Sequence, residues 1–91
     1  MKELIKQNPR SASRKYKDEA LVITPDDRRI HKLNQTATFI WEAAGNRGIG
    51  KDELVNKMHQ AFEAPVKTIQ TDLMVFLKEM VKKKILVKIA A

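Results

Sequence analysis

The sequence has no cysteine. That excludes a disulfide scaffold, a thiolate metal site and a cysteine nucleophile, and it suits a reducing compartment. Histidine is nearly as scarce: His31 and His59 are the only two. Neither has a second histidine or an acid cluster at metal-ligand spacing. No apolar run approaches the roughly 18 residues that a membrane-spanning helix needs. The N-terminal stretch Met1 to Ser13 has lysines but no apolar core of the signal-peptide kind. The expected compartment is therefore the cytoplasm, with no membrane partner. Paired carboxylates in a recognisable frame are missing too. Nothing remains from which to assemble a triad, a metal centre or an acid–base pair. The sequence reads as non-catalytic, with no cofactor and no metal.

What is present is one small domain. Ninety-one residues, 43% of them hydrophobic, can bury a modest core. The net charge of +7 sits at the two ends. Residues 1–19 hold six basic and three acidic groups, residues 20–77 hold seven of each, and residues 78–91 hold five basic and one acidic. A nucleic-acid reader usually carries its charge on the docking element. Here the middle of the domain is neutral, which fits solvated termini or an acidic peptide partner better than nucleic acid.

Residues 1–13 have no sustained period, and Pro9 breaks any helix begun before it, so they are expected to form a flexible arm. The single domain is then 14–91. Arg14 to Lys17 reads as a short strand with Tyr16 inward. Ala20 to Thr24 is β-branched and aliphatic, the clearest strand. Pro25-Asp26-Asp27 is turn chemistry, and Arg28 to Leu33 is the return strand of a hairpin. At Asn34 the period changes. Ala37, Ile40, Trp41 and Ala44 recur at i, i+3, i+4 and i+7, one buried helical face. Asn34 is the N-cap, its side-chain oxygen suited to an orphan N–H of the first turn. The helix over Gln35 to Ala44 ends at Gly45.

The loop Gly45-Asn46-Arg47-Gly48-Ile49-Gly50 holds every glycine in the chain. Its spacing matches no phosphate-binding fingerprint, and a helix precedes it rather than a strand. A second helix is expected over Lys51 to Phe62, buried through Leu54, Val55, Met58 and Phe62, with His59 beside that stripe. Pro65 opens a third helix, whose core face is Ile69, Leu73, Phe76, Leu77 and Met80. At 100° per residue, Thr68, Asp72, Val75 and Glu79 share one flank. The helix fades through Lys82-Lys83-Lys84, and Ile85 to Ile89 reads as a last short strand. The fold class is α+β: three short N-terminal antiparallel strands, then a three-helix bundle containing a helix-turn-helix.

Two binding readings follow. In the first, Lys67, Gln70 and Thr71 on the third helix read DNA. Against it stand Asp72 among them, the absence of Arg from that helix, and too short a tail for a wing. In the second, a peptide extends the sheet along the exposed edge of Arg28 to Leu33, with the third helix as the opposite wall. That edge is open only if neither residues 1–13 nor Ile85 to Ile89 cover it. A third class is a structural subunit that uses the same edge to self-associate.

The stretch Ile30-His31-Lys32-Leu33-Asn34-Gln35-Thr36-Ala37-Thr38-Phe39-Ile40-Trp41-Glu42 resembles the h-x-L-N-x-T-A-x-x-I-W-E signature of the PqqD-like family. Asp72 to Met80 is similar to that family's D-V-x-x-F-L-x-x-L segment. Lys84-Ile85-Leu86 stands where the family often has Gly-Leu-Leu or Gly-Leu-Ile. The resemblance covers roughly residues 14 to 87. It implies a winged-helix-like domain that binds the leader of a ribosomally made precursor peptide as an added strand, between the third strand and the third helix. It also implies presentation of that peptide to a modifying enzyme, of radical SAM type in the founding pathway. Carried over by position, the strand wall is Arg29, Ile30, His31, Lys32 and Leu33, and the helix wall is Asp72, Val75, Phe76 and Glu79. Leu33, Asn34, Ala37, Ile40 and Trp41 match the signature but read as fold residues. The expected partners are a leader peptide and its modifying enzyme, not nucleic acid, with the protein a monomer or weak dimer. The alternative is a small winged-helix DNA-binding protein.

Overall fold

A computed structural model describes residues 3–25 and 27–90. The elements run β1 (Glu3–Gln7), β2 (Ala12–Tyr16), β3 (Glu19–Thr24), β4 (Arg29–Leu33), α1 (Gln35–Ala44), β5 (Ile49–Gly50), α2 (Lys51–Ala61), α3 (Val66–Lys82) and β6 (Leu86–Ala90). The expected three antiparallel strands and three helices are present as β2-β3-β4 and α1–α3. A second three-stranded sheet, in the order β5-β1-β6, joins them.

That second sheet corrects the expected arm. β1 is its central strand, pairing Ile5 with Ile49 of β5 on one side and with Lys88 of β6 on the other. Ile5 has no exposed surface. The chain behind it is tied down by polar groups. Gln7 N donates to Gly45 O at 2.8 Å, and Gln7 Nε2 donates to Trp41 O at 3.0 Å. Asn8 Nδ2 donates to Lys84 O at 2.8 Å, and Asn8 Oδ1 accepts from Arg10 N at 3.0 Å. So residues 3–8 clamp the end of α1 to the end of α3. Met1, Lys2, Asp26 and Ala91 lie outside the described residues.

The glycine loop serves this sheet. Gly45, at φ +56°, closes α1 by donating its N–H to Trp41 O at 3.3 Å. Gly48 has φ +90°, and a Cβ there would come within 3.2 Å of Leu4 Cβ. Glycine supplies both the left-handed backbone and the close approach.

β2 begins earlier than expected, at Ala12, and ends at Tyr16. Tyr16 is 56% exposed rather than inward, and the Arg14 guanidinium lies 5.8 Å from its ring centre. The register explains this. Tyr16 pairs with Glu19 at the hairpin end, and Ala12, Arg14 and Tyr16 share the sheet face away from the helices. α2 stops at Ala61, one residue short of Phe62, which instead packs edge-on against Phe39 with ring centres 5.2 Å apart.

α3 ends in a Schellman turn. Ile85 N donates to Met80 O at 2.9 Å and Lys84 N donates to Val81 O at 3.0 Å. Lys84 carries the left-handed backbone of that turn, with φ +61°. A lysine there bears a Cβ penalty that glycine does not. Lys84→Gly is expected to raise stability by about 0.5–1 kcal/mol, and Tm by about 4 °C. Lys84→Val should lower both. Thermal unfolding of the two variants is the check.

Candidate functional site

The Asn34 corner sets the geometry of the strand wall. Asn34 Oδ1 accepts Ala37 N at 2.8 Å, the side-chain cap the sequence suggests. Thr38, buried, donates from Oγ1 to Leu33 O at 3.2 Å. Ile40 and Trp41 pin α1 into the core, where they are 0% and 8% exposed. β4 therefore leaves the corner in a fixed direction. It pairs with β3 along Thr24↔Arg29 through Ala20↔Leu33. Its other side has no strand partner among the described residues, since β2-β3-β4 ends there. β1 and β6, which the sequence left as possible covers, pair with each other instead.

α3 stands opposite that free edge. Between the two walls lies an open cavity of about 590 Å³. Ile30, His31, Lys32 and Leu33 line it from β4, and Asp72, Val75, Phe76 and Glu79 line it from α3. Asn34, Ala37, Met80, Lys83 and Ile85 complete the lining. The sequence reading brings together all of the first eight. Arg29, the ninth, does not line the cavity; its Nε lies 3.9 Å from Asp27 Oδ2, at the hairpin turn. The sequence reading overlooks Lys83, although Lys83 is seven residues beyond Phe76 and four beyond Glu79, on the same helical flank. Met80 and Ile85 are the two apolar residues joined by the Schellman turn, a pairing that becomes visible only once Lys84 is known to be left-handed.

The groove is apolar at its base and charged at its rims. Leu33, Met80 and Ile85 are buried, whereas Ile30 and Val75 are 67% and 63% exposed on opposite walls. Two large apolar side chains left in water across a groove mark a surface that gains from being covered. On the rim, Lys83 Nζ lies 3.6 Å from Glu79 Oε2. That exposed pair contributes little stability.

A polar network anchors the far end of β4. Buried Thr24 donates from Oγ1 to Asp27 Oδ1 at 2.5 Å, and the same oxygen lies 3.1 Å from His31 Nε2. Asp27 Oδ1 also accepts Arg29 N at 3.2 Å. The hydrogen bond from Thr24, with smaller help from the Arg29 backbone and charge, holds the Asp27 carboxyl below its ordinary value. Because the native pKa is the lower one, the ionised clamp contributes its stability above the ordinary carboxylate range and loses it as pH falls through the native pKa. Thr24→Val is expected to return the Asp27 pKa toward the ordinary value, read from an NMR titration of its side-chain carbonyl.

No group of three His, Cys, Asp or Glu side chains among the described residues is placed to hold a metal ion. No described helix is long and apolar enough to cross a membrane. The wing a DNA reader would need after α3 is not formed: β6 follows and joins β1. His59 stands exposed, with Nδ1 3.1 Å from Ala64 O.

A short antiparallel sheet whose β4 edge is faced across an apolar groove by the last helix of a helix-turn-helix defines a winged-helix-like domain with an open groove. The family model for coenzyme PQQ synthesis protein D (PqqD) matches residues 19–86. The chain belongs to that family. Among solved structures, TbiB1 in complex with the TbiA(beta) leader peptide is similar to it, with a TM-score of 0.78 at 20% identity over 89% of this chain and 93% of that one. The likeness shows a shared fold. A comparison with curated proteins finds no match.

Proposed function

We propose that this domain captures the leader of a ribosomally made precursor peptide by strand addition along β4 and presents it to a modifying enzyme, of radical SAM type, in the cytoplasm. The observation that carries this reading is the free edge of β4 opposite α3, with exposed Ile30 and Val75 on either side of one groove. Backbone N–H and C=O groups of β4 would pair with the peptide, and the pocket among Leu33, Val75 and Phe76 would take an apolar side chain. PqqD family membership supports the pathway class, and TbiB1 was solved with a leader peptide. The domain itself performs no chemistry in this reading. It works by holding a flexible substrate in one extended conformation, so that the enzyme meets an ordered segment.

The cavity of about 590 Å³ suits a few side chains rather than a whole domain. The test is a titration with synthetic leader peptides of ribosomally made precursors, followed by backbone amide NMR. Shifts concentrated on residues 29–33 and on the Asp72–Glu79 flank are expected. A peptide that binds while leaving both walls unshifted would rule the groove out.

A further inference from the structure

His31 lines the strand wall of the groove, and its ring does not choose its tautomer freely. Thr24 Oγ1 is 2.5 Å from Asp27 Oδ1 and 3.1 Å from His31 Nε2. A hydroxyl has one proton to give. The Asp27 carboxyl is held below its usual range, first by this hydrogen bond, so it is ionised and only accepts. The Thr24 proton is therefore committed to Asp27. The contact with His31 is then a hydrogen bond only if Nε2 carries a proton and donates it to the Thr24 oxygen. Thr24 is 1% exposed, so water does not compete for that hydroxyl. In the neutral ring Nδ1 is left unprotonated, and among the described residues it has no partner. Among the described residues, the charged groups on the same hairpin include Asp27, Arg29 and Lys32, and those lining the same groove from α3 are Asp72, Glu79 and Lys83. None of the six is bonded to the ring.

We infer that His31 is a specificity-determining residue of the groove: the Asp27–Thr24 clamp fixes its Nε2–H tautomer and offers Nδ1 as an acceptor to a peptide side chain bearing a hydroxyl or carboxamide. This rests on the reading of the groove as a peptide site. It adds a polar selector to the apolar pocket, at a defined step along the strand. A strand directs every second side chain to one face. The donor side chain and the apolar side chain that enters among Leu33, Val75 and Phe76 are therefore spaced by an even number of residues.

The second histidine supplies an internal control. His59 Nδ1 faces Ala64 O at 3.1 Å, and a carbonyl only accepts, so His59 is held in the opposite tautomer. Long-range nitrogen–proton correlation spectra of the full chain, recorded at alkaline pH, are expected to show His31 protonated on Nε2 and His59 on Nδ1. Thr24→Val should move His31 toward a mixture and leave His59 alone. The functional arm is a bead library of random octapeptides screened with labelled full chain. Wild type is expected to enrich Ser, Thr, Asn or Gln at one position about 2- to 12-fold, the range of one hydrogen bond. His31→Leu, which removes the acceptor, should lose that enrichment.

Equal enrichment in His31→Leu, or an Nδ1–H tautomer at His31 in wild type, would overturn the inference. A library with no binder at all would overturn the peptide site as well. Binders that lack the donor preference would overturn only the role of His31.

Discussion

Proline placed at whichever of Ile30 and His31 points its N–H away from β3 is expected to cost about 1–3 kcal/mol of peptide affinity, roughly 5- to 150-fold in Kd. Successive residues of an antiparallel strand direct their N–H groups to opposite sides. One of the two therefore bonds to β3, and the other faces the groove side where β4 has no partner. Proline removes the donor in either case. On the groove side it leaves a peptide carbonyl unpaired while the sheet stays intact. On the β3 side it breaks the β3–β4 ladder and lowers stability. The two variants should thus separate: one loses binding at near-native Tm, the other loses Tm. Calorimetric titration with the leader peptide and thermal unfolding of both proteins read the split directly. Pocket substitutions such as Phe76→Ala would be less informative, because Phe76 also packs against the core.

Truncating Ile5 is expected to cost about 2–5 kcal/mol. Its side chain has no exposed surface, and β1 is the middle strand between β5 and β6. A domain of this length holds roughly 5–14 kcal/mol in all. Ile5→Ala should therefore lower Tm by at least about 10 °C and leave a protein with little margin. The loss extends to the groove. β1 and Asn8 hold the end of α3, where Met80, Lys83 and Ile85 line the cavity. A mobile arm in place of β1 would make the same substitution silent. Urea unfolding of Ile5→Ala at two wavelengths distinguishes the two outcomes.

The two halves of the fold were not equally legible in the sequence. The Asn34 corner is readable because two local signals coincide there: a period change from extended to helical, and a capping residue where the helix starts. The walls of the groove are legible only in part: the resemblance to the PqqD-like family implies them, and periodicity alone does not show which strand edge is exposed. Asp72, Val75 and Glu79 share a helical flank by spacing alone, and β4 is the strand that enters the corner. β1 carries no such local signal. Only Ile5 in it is fully buried, Pro9 follows closely, and its partners are β5 and β6, some forty and eighty residues away. β5 is two residues long, which is below anything a pattern can reveal. Tyr16 departs from its expected inward position for a related reason. An aromatic in a strand usually packs, but the register puts this one at a hairpin end on the open face.

The same contrast applies at the site. Arg29 belongs by sequence to the strand that lines the groove, yet Asp27 draws its side chain back to the turn. Lys83 reads as a helix-end cation and is also a groove rim. Tertiary position, not residue type, decides both. Thr24 and His31 are seven residues apart on paired strands, and the carboxylate that fixes their proton order sits in the turn between them. No short-range pattern announces such a trio. It emerges only when the hairpin is closed.

The most direct test of peptide capture at β4 is hydrogen exchange of the full chain, with and without a bound leader peptide, resolved to single amides. Strand addition should slow alternate amides of β4, those without a partner in β3, and leave the amides of β6 unchanged. Uniform slowing of β4, or protection appearing at β6 instead, would contradict it.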